Sequence, residues 1–138
     1  MDLKAIFVIL PLMLNMMLLF KRKKKWAKSK YRWILSFIFF IFSLLIYISD
    51  LAVDFQIPII VIWGLMTPFV FTLIDYMFQS FSFGLHNRDF YLWLRGSDEI
   101  DESKLSGGKH VKISDRIFSM ALIFIVIFLP FAGFLVFR

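Results

Sequence analysis

The chain has 138 residues, about one domain's length, yet 60% of them are hydrophobic and the mean hydropathy is +0.79. That apolar share lies well above the roughly 45–50% of soluble domains, and the charge, +6 net, falls in blocks between long apolar runs, which excludes a small water-soluble core. No cysteine is present, which excludes disulfides, thiolate metal sites, iron–sulfur clusters and cysteine nucleophiles.

Four apolar stretches, 3–20, 33–49, 57–78 and 117–137, reach the length of about 17 to 25 residues that a helix needs to cross the hydrocarbon layer. None alternates like a barrel strand, so the expected fold is all-α: a single polytopic membrane domain over 1–138 with four transmembrane helices. The loops 21–32 and 79–116 are then cytoplasmic, and 50–56 is an outer loop.

The first stretch has only Lys4 before it and a basic block after it, with no A-x-A cleavage pattern, so it is expected to stay attached as a helix and not to act as a secretory signal. Pro11 lies inside it, and Asn15 stands at membrane depth. The loop that follows carries Lys21, Arg22, Lys23, Lys24, Lys25, Lys28, Lys30 and Arg32, with Trp26, Tyr31 and Trp33 at headgroup level. Such a juxtamembrane cluster is expected to contact anionic lipid headgroups. Nucleic acid is not an expected partner, because the cluster is held between two spans.

The second stretch carries Ser43, and a short loop with Asp50 and Asp54 follows it. Pro58 marks the start of the third stretch, where a missing backbone donor costs nothing. Gly64 and Pro68, like Pro11 and Pro130, are candidate hinges or packing points, and the hydroxyls of Ser43, Thr67 and Thr72 can be met by their own helices. Asp75, near the cytoplasmic end of this stretch, is expensive in lipid without a partner. Its candidate partners are Asn15, Lys21, Arg22 and Arg32.

Residues 79–116 are the one sizeable polar segment and the expected partner-binding loop, through His86, Arg88, Asp89, Tyr91, Trp93 and Arg95. The block Phe90–Leu94 reads as a segment lying in the membrane interface. Ser97 could cap a short helix, the acidic run Asp98–Glu102 could fold back on the first loop or face a basic partner, Gly107-Gly108 is a turn, and Val111 and Ile113 suit a brief strand. Ser114 is expected to cap the last helix, in which Ala132 and Gly133 permit close approach, as Gly64 does in the third.

Six Lys and Arg of the third loop join eight of the first, fourteen against Lys4 and Arg138 on the other side, so both termini are expected outside. No cofactor or metal is expected: His86 and His110 are far apart, and Gly108-Lys109 lacks the rest of a phosphate loop. Neither a hydrolase triad nor a paired deep carboxylate is present. A non-catalytic protein of the bacterial cell membrane is expected, binding another membrane protein as an accessory subunit or as an immunity protein against a membrane-active toxin. The alternatives are a homo-oligomeric pore, holin or small carrier built on Pro68, Gly64, Asp75 and Asn15, and an enzyme acting on a lipid headgroup near His86, Arg88 and Asp89.

Overall fold

Long apolar runs satisfy their backbone groups most simply as helices. A computed structural model of the chain describes residues 3–24, 29–49 and 59–136 and is all-helical in its regular structure. Helix α1 is Leu3–Phe20, α2 is Ser29–Ile48, α3 is Ile59–His86 and α4 is Ile113–Val136. By length and composition α2, α3 and α4 can each cross a membrane, and Ile9–Phe20 of α1 is a fourth, shorter apolar helix. Lys25, Trp26, Lys28, Asp50, Asp54, Pro58 and Arg138, like the side chain of Lys4, lie outside the described residues.

Helix α3 is the hub. It packs against each of the others, α1 also meets α4, and α2 has its extensive contact with α3 alone. The α2–α3 seam is aromatic at one end, where Phe40 stacks on Phe69 at 4.6 Å and Trp33 meets Phe69 and Tyr76 edge-on. Bulky apolar side chains such as Phe37, Phe42, Tyr76, Phe81, Phe124 and Phe128 point outward from α2, α3 and α4.

Three helix ends depart from the apolar boundaries, the first being the start of α2 at Ser29, four residues ahead of the apolar run. Helix α3 continues through the polar stretch after Phe78 to His86 and closes on Asn87, whose φ of 53° and N–H bond to Phe83 O form a left-handed C-cap. Helix α4 begins at Ile113, and its cap is not the Ser114 hydroxyl. The Asp115 carboxylate accepts the Lys112 N–H at 2.7 Å, one half of a capping box, which leaves Ser114 Oγ to bond His86. Val111 and Ile113 form no strand, and residues after Ser97 form turns in place of a helix, with Ser97 Oγ accepting the Glu99 N–H.

The internal prolines sit within continuous helices. Pro68 cannot donate to Gly64 O, and Thr67 Oγ1 donates there at 2.8 Å. Thr72 bonds Pro68 O in the same way, but Ser43 crosses to α3 and donates to Ile62 O, so its hydroxyl is not met by its own helix as expected. At Leu129, one residue before Pro130, the carbonyl accepts the Trp63 indole N–H at 2.8 Å. Gly133 makes room for that indole: a Cβ there would lie 2.5 Å from the Trp63 ring. Gly133→Ala is therefore expected to displace Trp63 and cost about 1–3 kcal/mol by overpacking, read as a lower unfolding temperature in detergent.

The fully buried apolar cluster joins Leu18 and Leu19 of α1, Phe71 of α3, and Leu122 and Val126 of α4 to Phe90 and Leu92 of the loop. The block Phe90–Leu94 is thus not a segment lying flat in the interface. It is extended backbone with period-two alternation, Phe90 and Leu92 inward and Tyr91 and Trp93 on the outer side.

Candidate functional site

One end of the bundle is closed by a charged network that begins with Arg22, the second residue after α1. Its side chain turns inward and is only 6% exposed. Nη2 donates to both Asp89 oxygens at 3.0 and 3.1 Å and lies 3.6 Å from Asp75, while Nη1 donates to Phe90 O. The guanidinium also rests 3.9 Å above the Phe90 ring, and Glu99 is at 4.0 Å. Arg32, 4% exposed, reaches Asp75 from α2 at 2.7 Å, and Gln79 Nε2 donates to the same carboxylate one turn along α3.

Of the four candidate partners of Asp75, the structure selects the two arginines. Lys21 is half-buried and is not paired with Asp75, and Asn15 instead donates to Thr67 Oγ1 at 3.3 Å, further along the α1–α3 seam. The placement of all eight basic residues at headgroups is corrected for Arg22 and Arg32, which are used inside the protein. Lys23 pairs with Glu99 at 3.0 Å and Lys24 with Asp98 at 3.5 Å, so the acidic run folds back on the first loop. Lys30 is exposed, and Lys25 and Lys28 are outside the described residues.

A second network fastens the loop to α4. Asp115, fully buried, accepts the N–H groups of Tyr91 and Lys112 and both terminal nitrogens of Arg88. One helical turn on, Ser119 Oγ accepts the Trp93 N–H and donates to Asp115 O. The spacing is causal: amides two apart on an extended strand meet acceptors four apart on one helix face. Leu92 N–H, pointing the other way, donates to Glu99. Hydrogen bonding to Asp115 raises the Arg88 pKa above its ordinary value, against the opposing effect of burial. Tyr91 lies between Lys23 and Arg88, each within cation–π distance, with His110 at its edge.

Of His86, Arg88 and Asp89, only Asp89 joins Asp75, through Arg22; Arg88 belongs to the Asp115 network and His86 to neither. His86 Nε2 meets Ser114 Oγ at 2.7 Å and Nδ1 meets Lys112 Nζ at 3.3 Å. Among the described residues no group of His, Asp and Glu side chains is placed to hold a metal ion.

Pro11, Gly64, Pro68 and Pro130 are all buried in helix contacts. Arg95 is exposed and, with Trp93, Ile100, Lys104, Leu105 and Met120, lines an open groove of about 400 Å³ beside the loop. Gly107 and Gly108, both at positive φ, are not themselves the expected turn but join two turns, Lys104–Gly107 and Gly108–Val111, and a Cβ on Gly107 would meet the Trp93 ring at 2.7 Å. Asp115, Ser119 and Ser36 were not among the sequence-derived site residues. Ser36 bonds Thr72 across the α2–α3 seam at 2.7 Å, and its spacing of four from Arg32 and seven from Ser43 is the signal that marks that face. Comparison of the chain with protein-family models, curated proteins and solved structures finds no match.

Proposed function

We propose that the chain is a multi-pass protein of the bacterial cell membrane. In this reading it crosses the bilayer four times with both termini outside, and it acts without catalysis by binding another membrane protein, as an accessory or immunity subunit. The girdle of exposed apolar side chains on α2, α3 and α4 supports the bilayer placement, and the positive charge after α1 supports the orientation. The observation that carries the binding role is the closure of Asp75 by Arg32, Arg22 and Gln79. A carrier or pore of this size would need its mid-helix acid free to meet an ion or proton; here Arg32 and Gln79 hold one carboxylate oxygen and Arg22 lies 3.6 Å from the other. What remains for function is surface, above all the flanks of α2, which has one extensive neighbour, and the outer side of the loop 87–112.

The test is purification of the tagged full chain from its native membrane in mild detergent, with mass spectrometry of what stays bound. A stoichiometric second membrane protein is expected, and a variant carrying Phe37→Ala and Phe42→Ala on the exposed face of α2 is expected to lose most of it. Recovery of a homo-oligomer alone would overturn the reading in favour of a pore or carrier.

A further inference from the structure

A guanidinium has more N–H donors than one carboxylate oxygen can accept, so a contact through a single oxygen leaves groups over on both sides. In the pair that ties α2 to α3, Nη1 of Arg32 meets Asp75 Oδ2 at 2.7 Å, and Gln79 Nε2 donates to the same oxygen at 3.0 Å. Nε and Nη2 of Arg32 and Oδ1 of Asp75 are buried and find no hydrogen-bond partner among the described residues. Arg22 does not supply the bond to Oδ1, because its Nη2 lies 3.6 Å away and is committed to Asp89. Buried charged groups with unmet bonds are costly, and folded proteins rarely keep them.

Arg32 and Asp75, 4% and 1% exposed, line one cavity of about 10 Å³ between α2 and α3, walled also by Trp33, Thr72, Tyr76 and Gln79. Trp33 and Tyr76 come one from each helix and meet edge-on, with ring centroids 6.0 Å apart. That volume holds about one water-sized molecule. Charge narrows the occupant further. An anion would suit Arg32 and be repelled by Asp75, and a metal cation would suit Asp75 and be repelled by Arg32. The species required accepts from N–H groups on one side and donates to a carboxylate on the other. Water does both at that size. Nε and Nη2 present their N–H groups along one edge of the guanidinium, where a single oxygen can accept from both, and Gln79 carries an oxygen able to take the second hydrogen.

We propose that this cavity is the seat of one structural water, which accepts from Nε and Nη2 of Arg32 and donates to Oδ1 of Asp75. With it the contact of Arg32 with Asp75 becomes a closed ring of hydrogen bonds in place of a single one. The ring continues the polar file that Ser36 and Thr72 form next along the same seam. Helix α2, whose extensive contact is with α3 alone, is thereby held at this end by a hydrated joint. The inference rests on the fold and not on the bilayer placement or the partner-binding role.

The experiment is nuclear magnetic resonance of the full chain in mild detergent with isotopically labelled arginine, the Arg32 Nε–H signal being assigned by its disappearance in Arg32→Lys. Two further variants, Thr72→Val and Thr72→Ile, lose the same hydroxyl, but only isoleucine adds a carbon to the cavity wall. The wild type and Thr72→Val are expected to show a dipolar cross-peak from Arg32 Nε–H to water, of the sign that separates a resident molecule from proton exchange. Thr72→Ile is expected to lose it. A wild type without that peak, or one whose Nε–H signal is erased by exchange with solvent, would overturn the site, and this measurement decides even if neither variant folds. A peak that survives in Thr72→Ile would place the water elsewhere and overturn the cavity as its seat. A shift of the wild-type signal on adding sodium chloride at constant pH would overturn water as the occupant in favour of an anion.

Discussion

Replacing Arg22 with Leu is expected to destabilise the protein by about 3–5 kcal/mol, the range for removing one partner of a buried ion pair. Arg22 faces Asp75, Asp89 and Glu99, and among the described residues it is the one side chain that reaches all three. Without it, Asp89 loses both of its donated bonds and Phe90 O loses its donor; the Asp89 side chain is 29% exposed and can recover water, so the penalty comes mainly from the buried side, at Phe90 O and around Asp75. Leucine fills much of the volume but none of that demand. Thermal unfolding in detergent, followed by circular dichroism, reads the loss. Lys24→Leu is the control, since its pair with Asp98 is exposed and worth about 0–1 kcal/mol. A similar small change for both variants would mean that the Arg22 guanidinium is not inside.

Phe90→Ala is expected to cost a comparable 3–5 kcal/mol or so, because it empties a fully buried aromatic site and takes away the ring under the Arg22 guanidinium. Its effect should be concentrated in the loop. Phe90 packs edge-on against Phe118 of α4 and belongs to the cluster that ties the loop to three helices. Loss of that anchor should loosen the bonds from Tyr91 N–H to Asp115 and from Trp93 N–H to Ser119, and hydrogen exchange at those two amides should speed up well before the helices are affected. Leu105→Ala, at an 89% exposed position of the same loop, should change stability by less than about 0.5 kcal/mol. Unchanged protection of the Tyr91 and Trp93 amides in Phe90→Ala would show that the loop is held by its hydrogen bonds alone.

These two residues also show what a sequence reveals and what it hides. Long apolar runs announce helices because period and length act locally, and an acid such as Asp75 within one of them announces a need for a cation. The two cations that answer it were both among the candidates. Which basic residues turn inward is another matter: Arg22 and Lys23 are neighbours in a run of like charges, and only the position of Asp89 and Glu99 in three dimensions separates the buried residue from the surface one. Phe90–Leu94 was misread for a related reason. Five apolar residues are too few to distinguish a flat interfacial segment from an alternating buried one, and the acceptors that hold it extended, Asp115 and Ser119, lie more than twenty positions away. Asn15 shares a helix face and a polarity with what Asp75 would need, yet the register of α1 against α3 sets it opposite Thr67. The α3 end was missed because lipid length bounds an apolar span and does not bound the helix that carries it.

The separation between Arg22 and its carboxylates along the chain has a consequence for assembly in time. Asp89 follows Arg22 by 67 positions, so as the chain is made from its N-terminus, α1 and its basic loop are complete long before the acids that complete them exist. Until residues 87–99 arrive, the guanidinium lacks the Asp89 carboxylate and the Phe90 carbonyl. The charged closure therefore sets late, and a chain arrested at the end of α3 carries at the foot of α1 an arginine that has Asp75 but not yet Asp89 or the Phe90 carbonyl, a mark by which an unfinished copy differs from a finished one.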